Sequence, residues 1–89
     1  MRRDLFSLKH KVAVVTGGYQ GIGKVVAGYL ADAGADIVIF DLKDASETAE
    51  GIRREYGVSA AAYICDVTDP EDVKNTLDAA EEKMGHLNL

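Results

Sequence analysis

The fold assignment of this sequence depends on one segment, Thr16-Gly17-Gly18-Tyr19-Gln20-Gly21-Ile22-Gly23. It follows an apolar run at 12–15 and precedes a segment whose apolar residues have helical spacing. A chain that turns here from a strand into a helix needs unusual φ angles and an accessible backbone, and glycine provides both. The following helix would point unpaired N–H groups and the positive end of its dipole at the turn. The segment therefore predicts an anion-binding turn.

Outward from this turn, short apolar runs alternate with longer segments of helical spacing. The runs at 12–15, 37–40 and 60–65 predict three strands, and the segments between and after them predict three helices. The inner faces predicted from the spacing are Ile22, Val25, Val26, Leu30 and Ala33 in the first helix, Ala45, Ala49, Ile52 and Tyr56 in the second, and Val73, Leu77, Ala80 and Met84 in the third. This βαβαβα order predicts an α/β fold, one half of a doubly wound Rossmann fold with parallel strand order 3-2-1.

Length and composition limit the chain to one folded domain. The 89 residues are 47% hydrophobic and 28% charged, which is typical of a globular protein, so residues 1–89 are interpreted as a single unit. The net charge of −5 disfavours binding to nucleic acid or to an anionic membrane surface. No run approaches the ~20 apolar residues of a membrane span, so we expect a soluble cytoplasmic protein. The lone Cys65 lies in a predicted strand, where cysteine acts as a small apolar residue.

Asp41 makes the predicted anion site more specific. It ends the second strand, where its carboxylate would lie beside the ribose of an adenosine bound on the glycine turn and accept hydrogen bonds from both hydroxyls. The same charge would repel a 2′-phosphate, and the turn carries Tyr19 and Gln20 where a compensating cation would be needed. The sequence thus predicts NAD as the cofactor, with NADP disfavoured. Lys43 is the one nearby cation that would weaken this preference, although a solvated lysine is the commoner case.

Asp66 follows the third strand at the same predicted edge of the sheet, and two interpretations of it stay open. In the first, its carboxylate accepts a hydrogen bond from the adenine amino group. In the second, it starts the turn that precedes Pro70.

The sequence disfavours two other kinds of site, a nucleoside triphosphate site and a metal site. The segment 18–25 fits G-x-x-x-x-G-K of the P-loop, but Val25 has no hydroxyl to offer a magnesium ion and ATP binding leaves Asp41 unexplained. His10 and His86 have no carboxylate or cysteine at ligand spacing, so no metal site is predicted.

Together these motifs resemble the short-chain dehydrogenases and reductases, whose first half carries T-G-x-x-x-G-x-G, an acidic residue after strand two and Asp-Val after strand three. His10 departs from the glycine that members often have before strand one. The resemblance implies that Gly17, Gly21, Gly23 and the Ile22 backbone contact the dinucleotide. The complete predicted cofactor-binding set is Gly17, Tyr19, Gln20, Gly21, Ile22, Gly23, Asp41, Leu42, Asp66 and Val67.

No catalytic residue is predicted within the 89 residues. The resemblance implies an asparagine after strand four, a serine and a Tyr-x-x-x-Lys pair, all of which fall beyond Leu89. None of the four tyrosines is followed by lysine four residues later; the residues there are Gly23, Ala33, Ala60 and Val67. The proton donor that carbonyl reduction requires is therefore missing.

Two functional hypotheses follow. In the first, the chain is the amino-terminal part of an NAD-dependent oxidoreductase that interconverts an alcohol and a ketone, truncated before strand four and inactive alone. In the second, it is a non-catalytic nucleotide-binding or self-associating module. Strand one would then be an apolar edge with unpaired N–H and C=O groups, through which the chain is expected to self-associate.

Overall fold

In a computed structural model, residues 9–17 and 21–84 are described, and they alternate strand and helix as the sequence predicts. The elements in chain order are β1 (Val12–Thr16), α1 (Ile22–Asp32), β2 (Asp36–Asp41), α2 (Ser46–Tyr56), β3 (Ala60–Ile64) and α3 (Pro70–Met84). The strands form one parallel sheet in which β2 lies between β1 and β3, with Val14 opposite Val38 and Val38 opposite Ala61. The predicted α/β class and strand order 3-2-1 are confirmed.

The central strand β2 contributes side chains to the core on both faces of the sheet. Ile37 and Ile39 point into a cluster with α1 and α2, whereas Val38 and Phe40 point into a second cluster with α3. Ile37, Val38 and Ile39 are fully buried, because helices cover the central strand on both sides. Cys65 lies in the second cluster and is buried, as predicted.

The inner faces of α2 and α3 agree with the apolar spacing. In α2 the buried residues Ala49 and Ile52 belong to the first cluster, and the partly buried Tyr56 packs against that cluster. In α3 the buried Ala80 packs against the second cluster together with the partly buried Val73, Leu77 and Met84. Gly57 ends α2 in the left-handed conformation, with φ of 71°.

The inner face predicted for α1 is wrong at Ile22, Val25 and Val26. Ala27 and Ala31 are the residues buried against the sheet, while 83% of Ile22, 55% of Val25 and 40% of Val26 is exposed. Alanine lets the helix axis approach the strands closely, so the smaller residues take the sheet-facing positions and the larger ones point away. Of the predicted face, Ala33 is buried and Leu30 is partly buried.

Among the described residues, no helix is long and apolar enough to cross a membrane. The cytoplasmic location stays a prediction.

Candidate functional site

Three of the predicted site segments lie at one edge of the sheet. Gly17 directly follows β1, Asp41 is the last residue of β2, and Asp66 lies two residues beyond the end of β3. Because the strands are parallel, their carboxyl ends share an edge, and this is the edge at which doubly wound folds bind ligands. The structure thus brings the three segments to the same edge, as the sequence predicts.

The described part of the glycine turn has a backbone that disfavours other residues. Gly17 has φ of 73°, and Gly21 combines φ of 72° with ψ of −144°. The Gly17 N–H donates to the Phe40 carbonyl at 2.9 Å, which ties the turn to the end of β2. Tyr19 and Gln20 lie outside the described residues, so their contact with a cofactor stays a prediction.

Gly23 is required for a different reason, namely close packing. A Cβ at this position would lie 2.2 Å from the Gly17 carbonyl oxygen and 3.1 Å from that of Thr16. The first turn of α1 therefore rests directly on the backbone of the glycine turn, and only glycine permits that contact.

The N-terminus of α1 has the properties of an anion site. No side chain among the described residues caps it, and its first turn contains no acidic residue that would compete with a bound anion. Around Gly17 and Gly21, no described atom lies within 4 Å of the position that a Cβ would take, so a ligand can approach the backbone there. The residues present fit the pyrophosphate of a dinucleotide, which needs N–H donors more than basic side chains.

At the end of β2, the carboxylate of Asp41 is held by the chain that follows it. Its Oδ1 accepts a hydrogen bond from the Lys43 N–H at 3.0 Å. Its backbone carbonyl accepts from the Cys65 N–H at 2.8 Å, which links this position to the end of β3. The next residue, Leu42, has 68% of its surface exposed and provides an apolar surface at the same edge.

Asp66 forms a turn of its own. Its Oδ1 accepts hydrogen bonds from the Thr68 N–H at 3.0 Å and from the Thr68 hydroxyl at 2.6 Å. The bond from the hydroxyl, and then that from the amide, holds the pKa of Asp66 below its ordinary value, so the carboxyl stays ionised. The turn-forming interpretation of Asp66 is therefore correct, and a contact with adenine stays a prediction. Beside it, Val67 is 47% exposed.

Sequence reasoning missed two residues that position Asp66. Thr68 donates to its carboxylate, and Asp72 Oδ2 accepts from the Asp66 N–H at 2.8 Å. The Asp-x-Thr spacing was an available signal, because aspartate commonly accepts from the backbone two residues ahead. No comparable local signal pairs Asp66 with Asp72, since that contact depends on where α3 begins.

A glycine turn between a parallel strand and a helix, with acidic residues after the next two strands, defines the nucleotide-binding half of a doubly wound fold. The sequence model of the short chain dehydrogenase family matches residues 11–89, and the chain belongs to this family. The family consists of oxidoreductases that use a nicotinamide dinucleotide.

Among its relatives is the sorbose reductase of Candida albicans, which is 48% identical over 87 residues, 97% of this chain and 31% of the relative. The crystal structure of the NADPH-dependent 3-quinuclidinone reductase from Rhodotorula rubra superposes with a TM-score of 0.89 at 35% identity, covering 97% of this chain and 33% of the other. The L-sorbose reductase from Gluconobacter frateurii, solved with NADPH and L-sorbose, gives a TM-score of 0.83 at 30% identity over 91% of this chain and 32% of the other. The chain thus spans about a third of the length of these relatives.

Proposed function

We propose that residues 1–89 are the dinucleotide-binding unit of an oxidoreductase that interconverts an alcohol and a ketone by hydride transfer. The observation that carries this proposal is the meeting of the glycine turn, Asp41 and Asp66 at one sheet edge. In this unit Gly17, Gly21 and the Ile22 N–H bind the pyrophosphate, and Gly23 lets α1 approach it. The remaining predicted contacts at the adenosine end are Tyr19, Gln20, Asp41, Leu42, Asp66 and Val67. When bound, the dinucleotide supplies the hydride.

We further propose that the cofactor is NAD. The support is the charge of Asp41, which a 2′-phosphate would have to approach. The hydrogen bond from the Lys43 N–H restrains that carboxylate at the end of β2, so it cannot easily turn away. Two of the relatives described above are named or solved with NADPH, which favours the opposite preference and makes cofactor choice the decisive measurement.

For the whole protein, the proposed substrate is a sugar or a polyol. The support comes from relatives: the sorbose reductase of Candida albicans and the L-sorbose reductase solved with L-sorbose. The groups that would bind the substrate are not assigned to this chain.

The experiment is a fluorescence titration of the chain with NADH and with NADPH. We expect NADH to bind at least about tenfold more tightly, a difference of about 1.4 kcal/mol. Asp41→Asn should reduce that ratio about tenfold by removing the repelling charge while keeping the shape. The matched control is Asp78→Asn, which removes an equal charge from an exposed position on α3.

The two parts of the proposal fail separately. Tighter binding of NADPH than of NADH by the unmodified chain would refute the NAD preference alone. If a chain with a native circular dichroism spectrum binds neither cofactor at millimolar concentration, its role as a dinucleotide-binding unit is wrong.

A second candidate function is self-association without catalysis, and the favouring observation is the edge of β1. In the described residues, β1 pairs with β2 only. The Lys11 carbonyl and the Gly17 N–H both bond to β2, and backbone groups in a strand alternate sides, so those of Val12, Val14 and Thr16 point to the open side. Residues 12–16 contain no proline and no charge, the usual devices that keep an edge from pairing.

A further inference from the structure

The turn after β3 fixes Asp66 at two points, its carboxylate and its backbone. Asp66 Oδ1 accepts hydrogen bonds from both the N–H and the hydroxyl of Thr68, at 3.0 Å and 2.6 Å. The Asp66 N–H donates to Asp72 Oδ2 at 2.8 Å. Two bonds to one oxygen hold the carboxylate in a single orientation, and the bond from the N–H holds the backbone that carries it. The chain thus provides a fixed acceptor at the edge of the sheet.

Asp72 can anchor this turn because α3 itself fixes Asp72. It lies in the first turn of that helix, where Asp69 Oδ1 accepts from the N–H groups of Glu71 and Asp72 at 3.0 Å and 3.4 Å. One helical turn further, the Thr76 hydroxyl donates to the Asp72 carbonyl at 2.7 Å, and Thr76 is buried. The position of Asp66 is therefore set by a helix that packs on the sheet, and not by the loop alone.

The second oxygen of this carboxylate is left for a ligand. No described residue donates to Asp66 Oδ2, whereas Oδ1 has two donors. Exposed apolar side chains follow both neighbouring strands at this edge, with Leu42 68% exposed after β2 and Val67 47% exposed after β3. A flat purine base needs apolar surface of this kind together with a polar group at its edge. Asp66 therefore lies where the base of a dinucleotide would meet a carboxylate oxygen.

Purine bases differ at the edge that such an acceptor would face. Adenine has an amino group at carbon 6, which donates, and an unprotonated N1 beside it, whereas a 6-oxopurine has a carbonyl at carbon 6 and an N1–H donor beside it. An ionised carboxylate only accepts, so it attracts the amino group and repels the carbonyl. A carboxylate that is free to turn can instead follow the N1–H of a 6-oxopurine. Discrimination between the two kinds of base therefore requires that the carboxylate be fixed.

We infer that Thr68 and Asp72 are positioning residues that hold Asp66 as a fixed acceptor, so that the site selects a dinucleotide with a 6-aminopurine over one with a 6-oxopurine. The inference rests on the proposed function, because it requires that a dinucleotide binds at this edge. It assigns base selection to the start of α3, whereas the glycine turn binds a pyrophosphate whatever the base. The bonds from Thr68 also lower the pKa of Asp66, so the carboxyl is ionised and acts as an acceptor at neutral pH.

The first experiment compares NADH with its hypoxanthine analogue, reduced nicotinamide hypoxanthine dinucleotide, in fluorescence titrations of the chain. The ratio of the two dissociation constants measures base selection, because the two ligands differ only in the base. We expect the analogue to bind about tenfold more weakly, a difference of about 1.4 kcal/mol. In Asp66→Asn the ratio should fall to about one, because an amide can donate to the carbonyl of hypoxanthine as well as accept from the amino group of adenine.

The positioning role is tested with two pairs of variants, one pair for each anchor. Thr68→Val removes the hydroxyl and keeps the shape, and it should lower the ratio at least about threefold by freeing the carboxylate. Thr68→Ser keeps the hydroxyl and should retain the wild-type ratio. Asp72→Ala removes the acceptor of the Asp66 N–H and should also lower the ratio, whereas Asp72→Asn still offers an amide oxygen and should retain it.

Ser46→Ala is the matched control for the loss of a hydroxyl. Ser46 makes the same pair of bonds to Asp44 Oδ1, from its N–H and from its hydroxyl, in the corresponding turn before α2. Asp44 is not among the predicted cofactor contacts, so Ser46→Ala should leave the ratio unchanged. Circular dichroism verifies that each variant is folded.

The outcomes separate this inference from the proposed function. A wild-type chain that binds NADH and the analogue equally well would refute base selection by Asp66 and leave dinucleotide binding intact. If Thr68→Val and Asp72→Ala weaken both ligands by the same factor, these residues only stabilise the turn, and the positioning role is wrong. Binding of neither ligand by the folded wild-type chain would refute the proposed function and this inference with it.

Discussion

The helices α1 and α2 cover the same face of the sheet, but their outward surfaces differ in kind. Away from the sheet, α2 presents charged residues, including Glu50 and Arg54 in an ion pair of 2.8 Å. In contrast, α1 buries Ala27 and Ala31 against the strands and presents large apolar residues outward, namely Ile22, Val25, Val26 and Tyr29. A helix with apolar residues on all sides is typical of a position inside a larger structure, whereas α2 has the pattern of a surface helix. The two helices of one face therefore differ in the kind of surface that they turn outward.

The largest expected effect concerns the contact that brings α1 onto the turn. Gly23→Ala should lower the free energy of unfolding by about 2–3 kcal/mol, because the added Cβ would lie 2.2 Å from a backbone oxygen and the helix must move. Cofactor binding should be lost with it. Urea unfolding and an NADH titration measure the two effects.

The control lies in the corresponding helix. Gly51 is in the middle of α2 with nothing within 4 Å of the position of a Cβ. Gly51→Ala should therefore raise the free energy of unfolding by about 0.5–1 kcal/mol. If both substitutions had the same sign, the close approach of α1 to the turn would not be what requires Gly23.

An intermediate effect distinguishes the two sides of α1. Ala27→Leu should destabilise the fold by about 1–3 kcal/mol, because Ala27 is fully buried against the sheet. Val25→Leu, on the exposed side, should change the free energy of unfolding by less than about 0.5 kcal/mol. Thermal unfolding at one fixed protein concentration compares them. If Val25→Leu destabilised the fold more than Ala27→Leu, the inner face predicted from the apolar spacing would be the correct one.

The smallest expected effect is a change in the pKa of Asp44, at the N-terminus of α2. Hydrogen bonds from the Ser46 hydroxyl and then from the Ser46 N–H hold the pKa of Asp44 below its ordinary value of 3.8. A lowered folded pKa means that the carboxylate stabilises α2 above the ordinary pKa and loses this effect as the pH falls through the folded value. Ser46→Ala should raise the pKa of Asp44, as followed by NMR titration.

The start of α1 serves as the control for this titration, because its first turn has no carboxylate. Amide signals of α2 should therefore shift in acid, and those at the start of α1 should not shift with the same midpoint. An unchanged pKa of Asp44 in Ser46→Ala would mean that the hydroxyl does not stabilise the ionised form.

Much of the fold was predictable because local signals agree with each other. Runs of β-branched residues gave the centres of β1 and β2, while Gly57 and Pro70 gave helix ends within a residue. The parallel order then followed from right-handed crossovers alone. The inner face of α1 was not predictable in this way, since periodicity identifies a face only when the opposite side is polar.

For the candidate site, sequence reasoning placed Gly17, Asp41 and Asp66 at one edge, since strand ends are set by the same local signals. It did not give the partners of these residues. The packing of Gly23 against the Gly17 carbonyl and the bond from Asp66 to Asp72 depend on how helices sit on the sheet, which no local pattern encodes.

The parallel sheet also leaves an amino edge that carries none of the candidate site. His10 precedes β1 there with a left-handed φ of 70°, a conformation that glycine adopts more readily than histidine. At the same edge Lys9 packs against Gly34, and the exposed Ser59 lies between α2 and β3. A strand of five residues spans about 16 Å, so a dye attached at Ser59 would be held at least that far from the glycine turn. For protein engineering, this edge is the place to attach a reporter of cofactor binding without obstructing the cofactor.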